Sequence, residues 1–195
     1  MKKIVLATSN KHKLKEYKEI LTDYDIVTLD DIGYKEDIEE DGNTFEENAL
    51  IKAKVIHNYL KDKKLDYVVI GEDSGLCVES LDGAPGIYSA RYAGGHGNNE
   101  KNRDKLQKEL IGKDRKAYFN CVIALMYPSG EYKFFNGKTY GTISKEELGN
   151  KDFGYDCIFY SEELGKTFGE ATEEEKNSVS HRGRAIKELL KSIHN

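Results

Sequence analysis

No window of this 195-residue sequence approaches the roughly 18 consecutive apolar residues of a membrane-crossing helix. The opening MKKIVLATSN turns polar too soon for a signal peptide. Both absences predict a cytoplasmic protein without membrane contacts. Proline is nearly missing, with 2 residues against 13 Tyr and 7 Phe, and 38% of the chain is hydrophobic, which fits a folded rather than a disordered polypeptide. Cysteine is scarce as well. Cys77, Cys121 and Cys157 are odd in number, far apart and without a CxxC pair, so they read as buried structural thiols in a reducing compartment. Positive charge is in deficit: the net charge of -5 argues against a non-specific nucleic-acid binder, and any phosphate site must be local.

What is present is a mixture of strand and helix patterns. Ile4 to Thr8 (IVLAT) has the composition of a strand, followed by polar SNKHK and an amphipathic helix with Leu14, Tyr17, Ile20 and Leu21 on one face. Thr44 is placed to cap a second helix, with Glu47 three residues on and a buried stripe of Phe45, Ala49, Ala53, Ile56 and Leu60. A strand over 65–70 is expected to end at the carboxylates Glu72 and Asp73. A long Gly-rich loop then leads to a helix over 99–111, so poor in apolar positions that it is expected to be exposed. AYFNCVIALMY and EYKFF flank Pro128-Ser129-Gly130 as a hairpin, and GKTYGTIS and FGYDCIFY supply two further strands. SVSHRGRAIKELLKSI is expected to be one closing helix, apolar along Ala185, Ile186, Leu189, Leu190 and Ile193. With no repeat or linker, residues 1–195 read as a single α/β domain.

Five charged or aromatic clusters could carry chemistry. Tyr67 to Ile70 suits a strand covered on both faces, where charge is costly, so Glu72 and Asp73 need either the solvent of an ordinary turn or a partner such as a divalent cation. Thr8-Ser9-Asn10-Lys11-His12-Lys13 joins a strand to a basic helix start, where unpaired N–H groups and the helix dipole favour phosphate; a capped helix with solvated lysines explains the same residues. The loop Glu39-Glu40-Asp41-Gly42, ahead of Lys52, offers carboxylates for a hard cation or is simply an acidic solvated loop. Phe153-Gly154-Tyr155-Asp156 leaves room for a planar ring against Phe153, or is ordinary strand packing. The donors Lys176, Ser180, His181 and Arg182 crowd one and a half turns, which suits an acceptor-rich ligand or a solvated face.

Taken in order, IVLATSNKHKLKE, TFEENALIKAK, GEDSGLCVESLDGAPGIYSARYAG, FGYDCIFY and EEKNSVSHRGRA resemble the inosine triphosphate pyrophosphatase family, in its bacterial branch, over nearly the whole chain. The resemblance implies an α/β fold related to that of Maf proteins, with a central twisted mixed β-sheet, flanking helices and two lobes around an active-site cleft. It also implies a homodimer, dependence on Mg2+ with Mn2+ able to substitute, and cleavage of ITP, dITP or XTP to monophosphate and pyrophosphate. Carried over by motif, Thr8, Ser9, Asn10, Lys11, His12, Lys13 and Lys52 hold the phosphates, with Arg91 as an addition. Glu40 and Asp73 serve the metal, Asp73 accepts the proton, and Ser74 touches substrate. Phe153, Gly154, Tyr155, Asp156, Lys176, His181 and Arg182 form the base pocket. The sequence departs from the family at Glu72, where many bacterial members carry Asp, and at Gly169-Glu170-Ala171.

Two rival readings stay open at this point. A Maf-like pyrophosphatase would share the fold but act on other nucleotides; the Ser180-His181-Arg182 turn and Phe153-Gly154-Tyr155-Asp156 argue against it. A nucleotide sensor would bind without hydrolysis and would have no use for Asp73.

Overall fold

A computed structural model of the protein describes residues 2–194; Met1 and Asn195 lie outside the described residues. In chain order these form β1 (Lys2–Leu6), α1 (Lys11–Ile20), β2 (Tyr24–Val27), α2 (Phe45–Asp62), β3 (Val68–Val78), α3 (Asn99–Glu109), β4 (Lys116–Met126), β5 (Tyr132–Ile143), β6 (Phe159–Ser161), β7 (Lys166–Thr167), α4 (Glu173–Val179) and α5 (His181–His194). The strands make one mixed sheet in the order β2-β1-β3-β4-β5-β6-β7. β1 runs parallel to both β2 and β3, whereas β5, β6 and β7 are antiparallel. This is the mixed sheet with flanking helices that the family resemblance implies. No helix among the described residues is long and apolar enough to cross a membrane.

The chain divides into two compact units. The first holds the chain through Asp73, Cys121–Asn136 and the segment from Ala185 onward; the second holds Ser74–Asn120 and Gly137–Arg184. In the first unit the alternation of β1 settles the layering. Ile4 and Leu6 join a cluster with Tyr17 and Leu21 of α1 and Ala185, Ile186 and Leu189 of α5, whereas Val5 joins Ala49, Ala53, Ile56 and Leu60 of α2. Both faces of these parallel strands are therefore covered, which is why they read as continuous apolar runs. The stripes expected on α1, α2 and α5 are the ones that pack. In the second unit Leu76, Leu106, Phe119, Phe159 and Phe168 form a separate core.

Several sequence expectations need correction. The strand expected to stop at Ile70 runs on to Val78, so Glu72 and Asp73 lie inside it. GKTYGTIS is not a separate strand but the end of the long β5, and only Phe159 and Tyr160 of FGYDCIFY are extended, in β6, because residues 156–158 form a 3-10 turn. The closing helix is two helices, broken at Ser180, whose φ of -67° and ψ of 157° are extended. α3 is not simply an exposed helix, since Asn102, Arg103 and Leu106 are buried. The hairpin at Pro128-Ser129-Gly130 forms as expected, closed by Gly130 N–H donating to the Tyr127 carbonyl at 2.9 Å. The three cysteines are buried free thiols.

Candidate active site

Because side chains alternate along a strand, β3 turns Glu72 and Asp73 to opposite faces. Glu72, 3% exposed, follows Ile70 toward α1, where Lys13 Nζ lies 3.2 Å from its Oε1. Asp73 follows Val69 and Gly71 toward α2. There Asn48 Nδ2 donates to Asp73 Oδ2 at 3.2 Å, and Lys52 Nζ lies 4.0 Å from Asp73 Oδ1 and 2.6 Å from Glu40 Oε1. Asn48 also accepts from Gly42 N–H at 2.9 Å, tying the acidic loop to the helix. Lys52 is buried, as its place beside Ala53 suggests. Glu40, Lys52 and Asp73 thus meet on one face, with Lys13 and Glu72 paired on the other.

Burial drives the Asp73 carboxyl up to about 6, and Glu40 adds to the rise; Lys52, Lys13 and the Asn48 amide oppose it without cancelling it. On the Asp73 face the carboxylates of Glu40 and Asp73 share the cation of Lys52, so negative charge exceeds positive among these three. That imbalance fits a divalent cation, and Glu40 with Asp73 are the carboxylates placed to hold one. Among the described residues no three His, Cys, Asp or Glu converge as metal ligands.

Gly71 is what lets the strand lie this close to α2. A Cβ there would sit 2.1 Å from the Ala49 carbonyl oxygen and 2.7 Å from the Ala53 nitrogen, both backbone atoms that cannot step aside. Gly71→Ala should therefore push β3 off α2, lower stability by about 1–3 kcal/mol and move Asp73 away from Asn48. Thermal melts and steady-state rates on the one variant check both effects.

The start of α1 differs from the sequence reading in one respect. Asn10 caps the helix, its Oδ1 accepting from His12 N–H at 3.0 Å and Lys13 N–H at 3.1 Å, and Thr8 Oγ1 accepts from Asn10 N–H at 3.1 Å. Donors expected to await a phosphate are already taken up by the cap. Ser9, Asn10, Lys11 and His12 are exposed, so their side chains remain reachable.

The second unit gathers the remaining candidates. Lys176 Nζ lies 2.6 Å from Asp156 Oδ2 and 4.7 Å from the centre of the Phe153 ring. Arg182 Nη2 donates to Ser74 Oγ at 3.0 Å, its Cζ is 6.0 Å from the same ring, and the side chain is only 1% exposed. His181 stacks on Phe119 with ring centres 4.6 Å apart and planes at 12°. Tyr155 is fixed by its hydroxyl donating to the Ser89 carbonyl at 2.7 Å, and burial pushes that hydroxyl well above its ordinary value.

The helix break creates this arrangement. Thr172 and Glu175 form a reciprocal capping box at the head of α4, and Ser180 Oγ accepts from Gly183 N–H at 3.0 Å at the head of α5. Gly183 is required for the tight turn, because a Cβ there would lie 2.0 Å from the Asn177 carbonyl oxygen. The guanidinium of Arg91 lies 5.1 Å from the centre of the Tyr88 ring.

Residues 4–192 match the Ham1 family. The chain belongs to that family. A dITP/XTP pyrophosphatase of Clostridium perfringens is 51% identical to it, over 99% of this chain and 98% of the relative. One of Campylobacter jejuni is 46% identical over 98% of this chain and 96% of the relative. The solved structure of the Staphylococcus aureus Ham1 protein superposes with a TM-score of 0.85 at 41% identity, covering 99% of this chain and 98% of that one. The membership bears out the resemblance drawn from the five ordered motifs.

Two contributors to the site of this Ham1-family chain escape sequence reasoning. Asn48 gave one faint signal, standing one helical turn before Lys52 beside the apolar stripe, where an amide has reason to be only if something needs it. Phe119, the platform for His181, sits in an apolar strand and has no signal of its own.

Proposed function

We propose that this chain is a nucleoside triphosphate pyrophosphatase that hydrolyses ITP, dITP and XTP to the monophosphate and pyrophosphate, removing non-standard purines from the nucleotide pool. The observation that carries the reading is Asp73, a buried carboxyl beside the Asn48 amide and the Lys52 ammonium, with its pKa pushed up to about 6. A carboxylate poised near neutrality suits a general base. That the Clostridium perfringens and Campylobacter jejuni relatives are dITP/XTP pyrophosphatases supports the reaction class.

In this mechanism Lys13 and Lys52 bind the polyphosphate, with the side chains of Thr8, Ser9, Asn10, Lys11 and His12 at its edge. Asp73 takes a proton from water as the water oxygen bonds to the α-phosphorus; the bond from that phosphorus to the bridging oxygen breaks, and pyrophosphate leaves with the electron pair. Glu40 and Asp73 would hold Mg2+, or Mn2+ in its place, and the ion would supply further charge neutralisation for the polyphosphate. In the second unit Phe153 offers its ring face to the purine, above the Gly154-Tyr155-Asp156 turn. Lys176, His181 and Arg182 supply donors for the 6-keto oxygen, and Ser74 orients Arg182. Adenine places an amino group where those donors need an acceptor, and such a mismatch costs orders of magnitude in rate.

The test is turnover of ITP, dITP, XTP, GTP and ATP, with separate assays for pyrophosphate and phosphate. Pyrophosphate equimolar with monophosphate, preference for the first three substrates, and loss of turnover in excess EDTA with recovery on adding Mg2+ are expected. Equal turnover of all five, or phosphate as the first product, would refute the proposal. The chain is further proposed to act in the cytoplasm as a homodimer, a state that light scattering after gel filtration would read directly.

A further inference from the structure

We infer that Arg103 is a positioning residue for the purine site, acting through the backbone that carries Phe153; this rests on the base-pocket reading above. Arg103 stands on α3, a helix whose sequence suggested an exposed position, yet it is 4% exposed. Burying a guanidinium is costly unless its donors are used, and here they are. Nε donates to Glu147 Oε1 at 2.8 Å, and Nη1 donates to the carbonyls of Gly154 at 2.8 Å and Lys151 at 3.4 Å. From the same helix Asn99 Nδ2 donates to the Asp152 carbonyl at 3.3 Å.

The carbonyls of Lys151, Asp152 and Gly154, which bracket Phe153, are thus all held from α3. Gly154 is in the left-handed region at φ 52°, so the chain turns at this point and the neighbouring carbonyls come within reach of one side chain. The Phe153 ring is half-buried and touches the cations of Lys176 and Arg182. Its backbone is fixed from α3, while its ring keeps surface for a base. A planar fork can serve the Glu147 carboxylate and the loop carbonyls together, which a lysine ammonium cannot do.

The experiment compares the full-length protein with Arg103→Met and Arg103→Lys, assayed well below their melting temperatures. Arg103→Met should raise KM for ITP about tenfold, in line with partial loss of one base–aromatic stack, with kcat within about twofold. Arg103→Lys should recover the melting temperature through Glu147 but keep most of the KM rise. A second readout uses Phe153→Trp, since the chain has no other tryptophan: the fluorescence anisotropy of that side chain should fall when Arg103→Met is added. Unchanged KM and anisotropy, or a KM that merely follows melting temperature in both variants, would overturn the inference. Failure of the base-pocket reading is distinguishable, because it would show in the unmutated protein as equal turnover of ITP and ATP.

Discussion

Asp73→Asn should lower kcat by roughly two to four orders of magnitude and at the same time make the metal-free protein more stable at alkaline pH. The two effects share one cause. The folded state holds the Asp73 carboxyl at about 6 against 3.8 for an ordinary aspartate, so it binds the proton more tightly than the unfolded chain does. The cost of ionising Asp73 in the fold is therefore absent below about pH 4, grows between pH 4 and 6, and is fully present above. It amounts to about 3 kcal/mol from the difference between those values. The Asn variant escapes it. Melting curves should place the variant several degrees above the parent at pH 8 and level with it at pH 4. A variant that is less stable at pH 8, or that retains near-normal turnover, would remove Asp73 from the role given to it.

Lys176→Met should be the most damaging change in the second unit. It strips the cation, 2.6 Å away, from the carboxylate of Asp156, and both side chains are at least nine-tenths buried or close to it, at 8% and 12% exposure. Breaking such a pair by removing one partner typically costs about 3–5 kcal/mol, which in a chain of this size lowers the melting temperature on the order of 10 °C. The double variant Lys176→Met/Asp156→Asn should recover most of that loss, since no buried charge is left behind. It should not recover selectivity for ITP over ATP, because the ammonium over Phe153 is still missing. Recovery of selectivity in the double variant would show that Lys176 serves the fold alone.

The parts of this molecule that were legible in the sequence are those written in local periodicity. IVLAT alternates and its residues sort onto two sheet faces; the steps of four and three residues through Ala49, Ala53, Ile56 and Leu60 make one buried stripe; Thr44 caps α2, accepting from Glu47 N–H at 3.1 Å. What was not legible depends on partners distant in sequence. Gly71-Glu72-Asp73-Ser74-Gly75 has the composition of a turn, and local preference alone would end the strand there. Small residues on α2 and the lysines at 13 and 52 keep it extended instead, so tertiary context overrides propensity. α3 looked exposed because burial was sought in apolar residues, whereas Asn102 and Arg103 are buried by the carbonyls they bind. The break at Ser180 was missed because the apolar positions of α5 begin only at Ala185. Of the candidate site residues, the charged ones announced themselves by being costly where they stand, and Asn48, which is neutral, did not.

The opposite facing of Glu72 and Asp73 also limits how this gene can drift. Swapping one side chain for another in β3 leaves the reading of inside and outside intact, but an inserted or deleted residue between Val68 and Gly71 would exchange the two carboxylates and bring a side chain to the place that only glycine fits. Length variation among descendants should therefore collect in the loops, and this strand should keep its residue count even where its letters change.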